Sequence, residues 1–195
     1  SKFLIKNPSN ISVAMKALQI LNESNFFYSS VINQVIAVDY YSSQKNSLYG
    51  SYFENMPKFD AILSAISATH NLSRDDRRFY YDVINKNFIP IYYDGMVSIF
   101  NRNNKFMLNN DSFNLSLIDK NESKKILRSA QVGAVSALES LNQIKIEKLN
   151  FLFKERGLNI SQENLTKVID MIKNNLLIIK NLPENKIVKV SSNIK

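Results

Sequence analysis

Residues 119–157 have the sequence DKNESKKILRSAQVGAVSALESLNQIKIEKLNFLFKERG, the longest segment of the chain with one consistent pattern. Apolar side chains recur along it at spacings of three to five residues, which indicates one face of a helix. They are Ile126, Ala130, Ala134, Ala137, Leu141, Ile144, Leu149 and Leu152. Asp119 and Glu122 form a capping box, and Gly157 suits the left-handed end of a helix. The segment therefore predicts a single helix over 120–156, about 55 Å long at 1.5 Å per residue.

The middle of this predicted helix has small side chains over more than two turns. They are Ser129, Ala130, Gly133, Ala134, Ser136 and Ala137. Gly133 costs about 1 kcal/mol of helix stability relative to alanine, so we expect close packing to explain its position. The neighbour is either a helix of the same fold or a second copy of the chain. We favour the internal helix because small residues are common inside helix bundles.

Four more helices are predicted around this long helix. Caps and apolar periodicity place them over 10–45, 56–69, 74–87 and 162–181. The predicted fold is mainly α, an elongated helical bundle forming one helix-dominated domain over 1–195, with a basic tail at 184–195. The predicted core consists of Leu18, Leu21, Ile32, Val35, Ile62, Ile66, Val83, Leu138, Leu141, Ile144, Ile169, Ile172 and Leu176.

Residues 88–118 differ in character, because the helical period weakens there. The apolar runs 91–93 and 96–100 flank Asp94-Gly95, a strong short-range signal for a β-hairpin. Polar clusters further along the segment extend this interpretation to a small inserted meander. The competing interpretation is a helix beginning at Pro90, since proline suits a first helical turn, and the fold is then all-α.

The composition is that of an ordered chain, with 45% hydrophobic residues, four glycines and four prolines among 195 residues. A net charge of +8 ordinarily raises the expectation of an acidic partner such as nucleic acid. Here the lysines are spread along the whole chain, so we attribute most of them to solvated helix faces and expect no nucleic-acid binding. The excess of lysine, asparagine and isoleucine is typical of an AT-rich microbial genome. No apolar run reaches the 18 residues of a membrane span.

The sequence carries little catalytic or ligand-binding chemistry. His70, the only histidine, lies at the end of a predicted helix. Asp75 or Asp76 could orient it as a general base, but no nucleophile motif accompanies it, and a histidine there more often caps the helix. There is no cysteine, no metal-ligand spacing and no glycine-rich phosphate loop. We therefore expect a non-enzymatic protein with no cofactor and no metal site.

Two groups of residues are candidates for partner binding. Arg77 and Arg78 precede aromatic residues, as in contact sites for proteins or single-stranded nucleic acid. The alternative is a solvated helix face on which the arginines pair with Asp75 and Asp76. The second group is Tyr92, Tyr93, Met96 and Phe100, which lie among strongly polar clusters. These residues either cap the bundle core or leave one face exposed to a partner.

The first functional hypothesis is a helical protein–protein interaction module that binds a protein partner or a second copy of itself. The lack of cysteine is compatible with export, so we slightly favour a site of action outside the cytoplasm, at a cell surface or secretion apparatus. The second hypothesis is an extracytoplasmic ligand-sensing domain of a membrane receptor. The third is a nucleic-acid-binding protein.

Overall fold

The computed structural model describes residues 10–20, 53–72, 76–95, 97, 108–109, 112–113 and 120–183. The protein is mainly α-helical with short β-strands, so the predicted fold class is confirmed and the all-α alternative is wrong. The described helices are α1 (10–20), α2 (Met56–Ala65), α3 (Thr69–Leu72), α4 (Lys120–Asn142), α5 (Ile146–Glu155) and α6 (Gln162–Asn181). The described strands are β1 (Arg78–Asp82), β2 (Asn87–Ile91), β3 (Leu108–Asn109) and β4 (Ser112–Phe113).

The chain divides into two compact units, one with residues 1–55 and 79–89 and the other with residues 56–78 and 90–195. The described part of the first unit contains α1 and a cluster of aromatic rings around the β1–β2 hairpin. Phe53 stacks on Phe88 with ring centroids 5.1 Å apart, and Phe79 meets both rings edge-on. Because Phe53 and Phe88 are buried, these rings form a local apolar core.

The core of the second unit forms where α2, α4 and α6 pack against one another. Its buried apolar residues on these helices are Met56, Ala61, Leu63, Ala65, Ile126, Leu127, Ala130, Ala134, Ala137, Leu165, Ile169, Leu176 and Ile179. A Cβ at Gly133 of α4 would overlap the backbone of Pro57 and Lys58 in α2. The predicted close approach at Gly133 is therefore confirmed, and the neighbour is an internal helix.

The predicted single helix over 120–156 is wrong, because α4 ends at Asn142 and α5 begins at Ile146. Ile144 donates its backbone N–H to the carbonyl of Leu141 at 3.3 Å, a tight last turn, and Lys145 is extended (φ −86, ψ 110). The next apolar position after Ile144 on the predicted face is Leu149, five residues later. That spacing is out of step with a continuous helix.

The predicted ends of α5 and α6 are confirmed. Gly157 has φ +77, and its N–H donates to the carbonyl of Lys154 while Leu158 donates to Phe153. This is the Schellman arrangement, in which a left-handed residue lets the last carbonyls find donors. At the start of α6, the Ser161 hydroxyl accepts from the Asn164 backbone N–H at 3.2 Å.

The predicted helix over 74–87 is wrong, because this part of the chain forms the two-stranded β1–β2 sheet. Asp82 fixes the turn by accepting from the backbone N–H groups of Ile84 and Asn85 at 2.9 and 3.2 Å. Such side-chain bonds stabilise turns at the expense of helices. The helix predicted to begin at Pro90 is also wrong, since Pro90 lies in β2.

Of the first strand predicted before Asp94-Gly95, over 91–93, only Ile91 lies in a strand, and that strand, β2, pairs with β1. The strand predicted over 96–100 lies outside the described residues except for Val97. Further along the segment, β3 and β4 pair antiparallel, with Leu108 opposite Phe113. β3 and β4 each contain one end of the polar cluster over 109–112, which the sequence predicts between two strands.

Helix α2 ends four residues before the predicted 69. Ser67 has φ +55, and Ala68 donates to the carbonyl of Leu63 at 2.9 Å. The same Schellman arrangement therefore ends α2, with a serine where a glycine is usual, so the sequence lacks the ordinary stop signal. At the N-terminus, residues 10–20 form the predicted helix, and its predicted continuation over 21–45 lies outside the described residues.

The predicted core is confirmed in part. Ile169 and Leu176 are buried, whereas Ile62, Ile66, Leu138, Leu141 and Ile172 are half-buried. Leu18, Val83 and Ile144 are exposed, so those three predictions are wrong. Val83 is exposed because it lies in the hairpin turn, and Ile144 because it follows the end of α4. Leu21, Ile32 and Val35 lie outside the described residues.

No helix in the described part of the chain is long and apolar enough to cross a membrane.

Candidate functional site

Arg77, a predicted binding residue, is buried in an ion pair. Its Nη1 lies 2.7 Å from Oδ1 of Asp60 in α2, and the two side chains are 7% and 0% exposed. Arg77 Nη2 also donates to the backbone carbonyl of Leu72 at 3.3 Å. The guanidinium thus joins α2 to the end of α3, and Asp60 is the partner that sequence reasoning missed.

Asp60 has a second partner on α4, because the Ser129 hydroxyl donates to Oδ2 at 2.7 Å. Burial raises the pKa of Asp60, while the charge of Arg77 and the hydrogen bonds from Ser129 and Arg77 oppose that rise. Because the carboxyl has no exposed surface, this network holds α2, α4 and residue 77 together and is closed to an external ligand.

We use the name tyrosine surface for four exposed residues: Arg78, Ile91, Tyr92 and Tyr93. Tyr92 and Tyr93 are each 51% exposed. The guanidinium carbon of Arg78 lies 4.9 Å from the centroid of the Tyr93 ring, within the range of a cation–π contact. Arg78 Nη1 also donates to the backbone carbonyl of Arg77 at 3.1 Å. The hydrogen bond and the ring contact together restrict the position of the guanidinium.

The tyrosine surface is supported from beneath by Asn71, a fully buried residue of α3. Its Oδ1 accepts from the backbone N–H of Tyr93 at 2.9 Å, and its Nδ2 donates to the backbone carbonyl of Asp76 at 3.1 Å. One amide side chain therefore fixes the two segments that carry Tyr93 and Arg78. Neither segment gave a sequence signal for this contact, since 22 positions separate Asn71 from Tyr93.

Tyr92 is supported by Gly95. A Cβ at position 95 would lie 2.5 Å from Cε2 of Tyr92, so a larger residue there would require the Tyr92 ring to move. Gly95 is buried, whereas Asp94 before it is exposed with φ +42. Gly95, which the sequence predicts to lie in a hairpin turn, is thus a close neighbour of the Tyr92 ring.

The other candidates are Met96, Phe100 and His70. Met96 and Phe100 lie outside the described residues. His70 is half-buried within the four-residue helix α3. Among the described ranges, no group of three or more histidine, aspartate or glutamate side chains could hold a metal ion.

Comparisons with protein-family models, with curated proteins and with solved structures find no match. Function is therefore inferred from the geometry of the described residues.

Proposed function

We propose that the protein is a non-enzymatic protein–protein interaction module and that the tyrosine surface contacts its partner. The observation that carries the proposal is the fixed presentation of Tyr92 and Tyr93, each about half exposed over buried support. Tyrosine and arginine are the residue types most enriched where protein interfaces concentrate their binding energy. A pair of tyrosines beside Arg78 has that composition.

The support beneath the two rings favours binding because it reduces the entropy lost on association. Ordering a flexible side chain at an interface costs about 0.5–1.5 kcal/mol. The Tyr93 ring is already contacted by Arg78, and the Tyr92 ring by the backbone of Gly95. These contacts restrict both rings before binding, which lowers that cost.

Charge indicates the kind of partner. The whole chain carries a net charge of +8, and the cation of the tyrosine surface is Arg78. A partner protein with an acidic patch around an apolar pocket fits these features, because complementary charge speeds encounter and fixes orientation. The lack of cysteine among 195 residues is compatible with action outside the cytoplasm, at a cell surface or secretion apparatus.

Nucleic-acid binding receives less support. The sequence pattern that suggests it pairs Arg77 with Arg78, but the Arg77 guanidinium is buried against Asp60. Affinity for nucleic acid comes from several phosphates neutralised at once. One arginine on the tyrosine surface does not supply that.

The test is site-specific photo-crosslinking in cells that produce the protein. A photoreactive phenylalanine derivative replaces Tyr92 in one variant and Val132 in a control, since Val132 is equally exposed on α4. The proposal predicts a discrete cross-linked protein from position 92 and none from position 132. A cross-link between two copies would make the partner the chain itself.

Competition makes the result specific. Excess unlabelled protein should suppress the cross-link from position 92, whereas a Tyr92→Ser/Tyr93→Ser competitor should not. If both competitors suppress it equally, or if positions 92 and 132 give the same products, the tyrosine surface is not the contact.

A further inference from the structure

A cavity of about 390 Å³ lies within the first unit, between α1 and the β1–β2 hairpin. Its volume falls inside the range of about 300–1,000 Å³ that holds small-molecule ligands. It shares no lining residue with the tyrosine surface. Ligand binding in the cavity and partner binding at the tyrosine surface can therefore be tested independently.

The walls of the cavity are apolar on both sides. α1 contributes Val13 and Ile20, and the hairpin contributes Val83 from its turn. Ile20 is buried, so part of the lining is shielded from water. Such a wall accepts the hydrocarbon part of a ligand.

Two lysines line the same cavity from different elements, Lys16 from α1 and Lys86 from the hairpin turn. No aspartate or glutamate is among its described lining residues. Two cationic side chains therefore border a partly apolar space, and none of the described lining residues carries a carboxylate. An anionic group entering that space gains charge-assisted hydrogen bonds.

Two hydroxyl groups add neutral donors to this lining, from Ser12 and Tyr81. The Tyr81 ring packs on Phe88 with centroids 4.9 Å apart. Because Phe88 is buried in the aromatic cluster, this contact restricts the movement of the Tyr81 ring. Hydroxyl donors and ammonium donors together suit an oxyanion.

The backbone at Lys86, in the hairpin turn, has an uncommon conformation. Lys86 has φ +53, in the left-handed region that disfavours residues with a Cβ and favours glycine or asparagine. Hairpin turns commonly contain one such residue, so glycine at position 86 suits the same backbone.

We propose that this cavity binds a small amphipathic anion. The apolar body of the ligand packs against Val13, Ile20 and Val83, and its carboxylate or phosphate head lies between Lys16 and Lys86. Ligand-sensing by this unit is a function separate from partner binding at the tyrosine surface.

The experiment is isothermal titration of the full chain with decanoate and decyl phosphate, each below its micelle concentration, and with decanol below its solubility limit. Decanoate or decyl phosphate should saturate one site per chain, and the tighter of the two identifies the head group. Decanol should bind at least about tenfold more weakly, because it has the same apolar body without a charge. Equal affinity for decanol, or no saturable site for either anion, would overturn the proposal.

Substitutions locate the site. Lys16→Gln should weaken anion binding about tenfold, whereas Lys148→Gln, which removes an exposed lysine from α5, should leave it unchanged. Lys86→Gly separates binding from folding, since it removes the cation and also relieves the left-handed backbone. Its melting temperature should stay level or rise while binding weakens about tenfold. Unchanged binding in Lys86→Gly, or equal weakening in all three variants, contradicts the assignment.

Discussion

Replacing Arg77 with methionine tests the buried ion pair that joins α2 to the residues before β1. Arg77 Nη1 lies 2.7 Å from Asp60 Oδ1 and 3.9 Å from the sulfur of Met56. Methionine is the informative substitution because an apolar side chain at position 77 can pack against the neighbouring thioether of Met56. The change therefore removes the charge while keeping much of the packing.

The expected loss follows from burial. The two side chains are 7% and 0% exposed, so water does not replace the missing guanidinium at Asp60. Removing one partner of a buried pair costs about 3–5 kcal/mol because the other charge stays unpaired. The Ser129 hydroxyl still donates to Asp60, so we expect a value near the lower limit, about 3 kcal/mol.

The pH dependence has a defined sign. Burial raises the pKa of Asp60 above 3.8, and loss of the Arg77 charge raises it further. Between pH 3.8 and the folded pKa, the folded state holds a proton that the unfolded state releases. Stability of Arg77→Met should therefore fall as pH rises through that window, and the deficit should be smaller near about pH 5 than near about pH 8.

Urea denaturation followed by circular dichroism gives the free energy of unfolding at each pH. The matched control is Asp60→Leu/Arg77→Met, which removes both charges and should be far less destabilised than the single variant. A single-variant loss below about 1 kcal/mol, or a double variant as unstable as the single one, would refute the buried pair.

Three further predictions concern stability. Gly133→Ala should destabilise by about 1–3 kcal/mol in urea denaturation, because its Cβ meets the backbone of α2, whereas a gain in stability would contradict that close approach. Leu176→Ala, at a buried position, should cost about 2–5 kcal/mol and exceed the loss from half-buried Leu141→Ala, so a reversed order would be incompatible with the core described. Asn71→Ala should cost about 1–3 kcal/mol and speed hydrogen exchange at the Tyr93 amide, and unchanged exchange there would show that Asn71 does not hold this segment.

The sequence predicts those elements whose signals lie within a few residues of the structure they determine. Ser161 caps α6, Gly157 ends α5, and the small side chain of Gly133 admits a neighbouring helix. Each is a local steric or hydrogen-bonding requirement that one residue type satisfies. Such requirements can be recognised without knowledge of the tertiary fold.

The remaining features depend on contacts that the sequence pattern does not contain. At the end of α2, Ser67 adopts a left-handed conformation. Glycine is the usual residue there, so the sequence gives no signal that the helix stops. The β1–β2 hairpin depends on the Asp82 carboxylate, which accepts a hydrogen bond from the backbone of its own turn. An aspartate can equally cap the start of a helix, so the residue type alone does not distinguish a turn from a helix. The predictions for both segments failed because a local alternative or a tertiary contact outweighed propensity.

The candidate site shows the same division. Tyr92, Tyr93 and Arg78 were identified from residue type; all three are exposed, and the Arg78 guanidinium contacts the Tyr93 ring. Asn71 was not identified, because its partner in the fold lies 22 positions away. Asp60 was not identified for the same reason, being 17 positions from Arg77.

The most direct test of the proposed function measures partner affinity and thermal stability on the same preparation of Tyr92→Ser/Tyr93→Ser, using the protein captured by cross-linking at position 92. Interface residues that dominate binding contribute about 2 kcal/mol or more, so the dissociation constant should rise at least about 30-fold. The melting temperature should stay within about 4 °C of the wild type, because half-exposed positions contribute little to stability. An unchanged dissociation constant, or a loss of binding accompanied by unfolding, would contradict the assignment of the tyrosine surface as the contact.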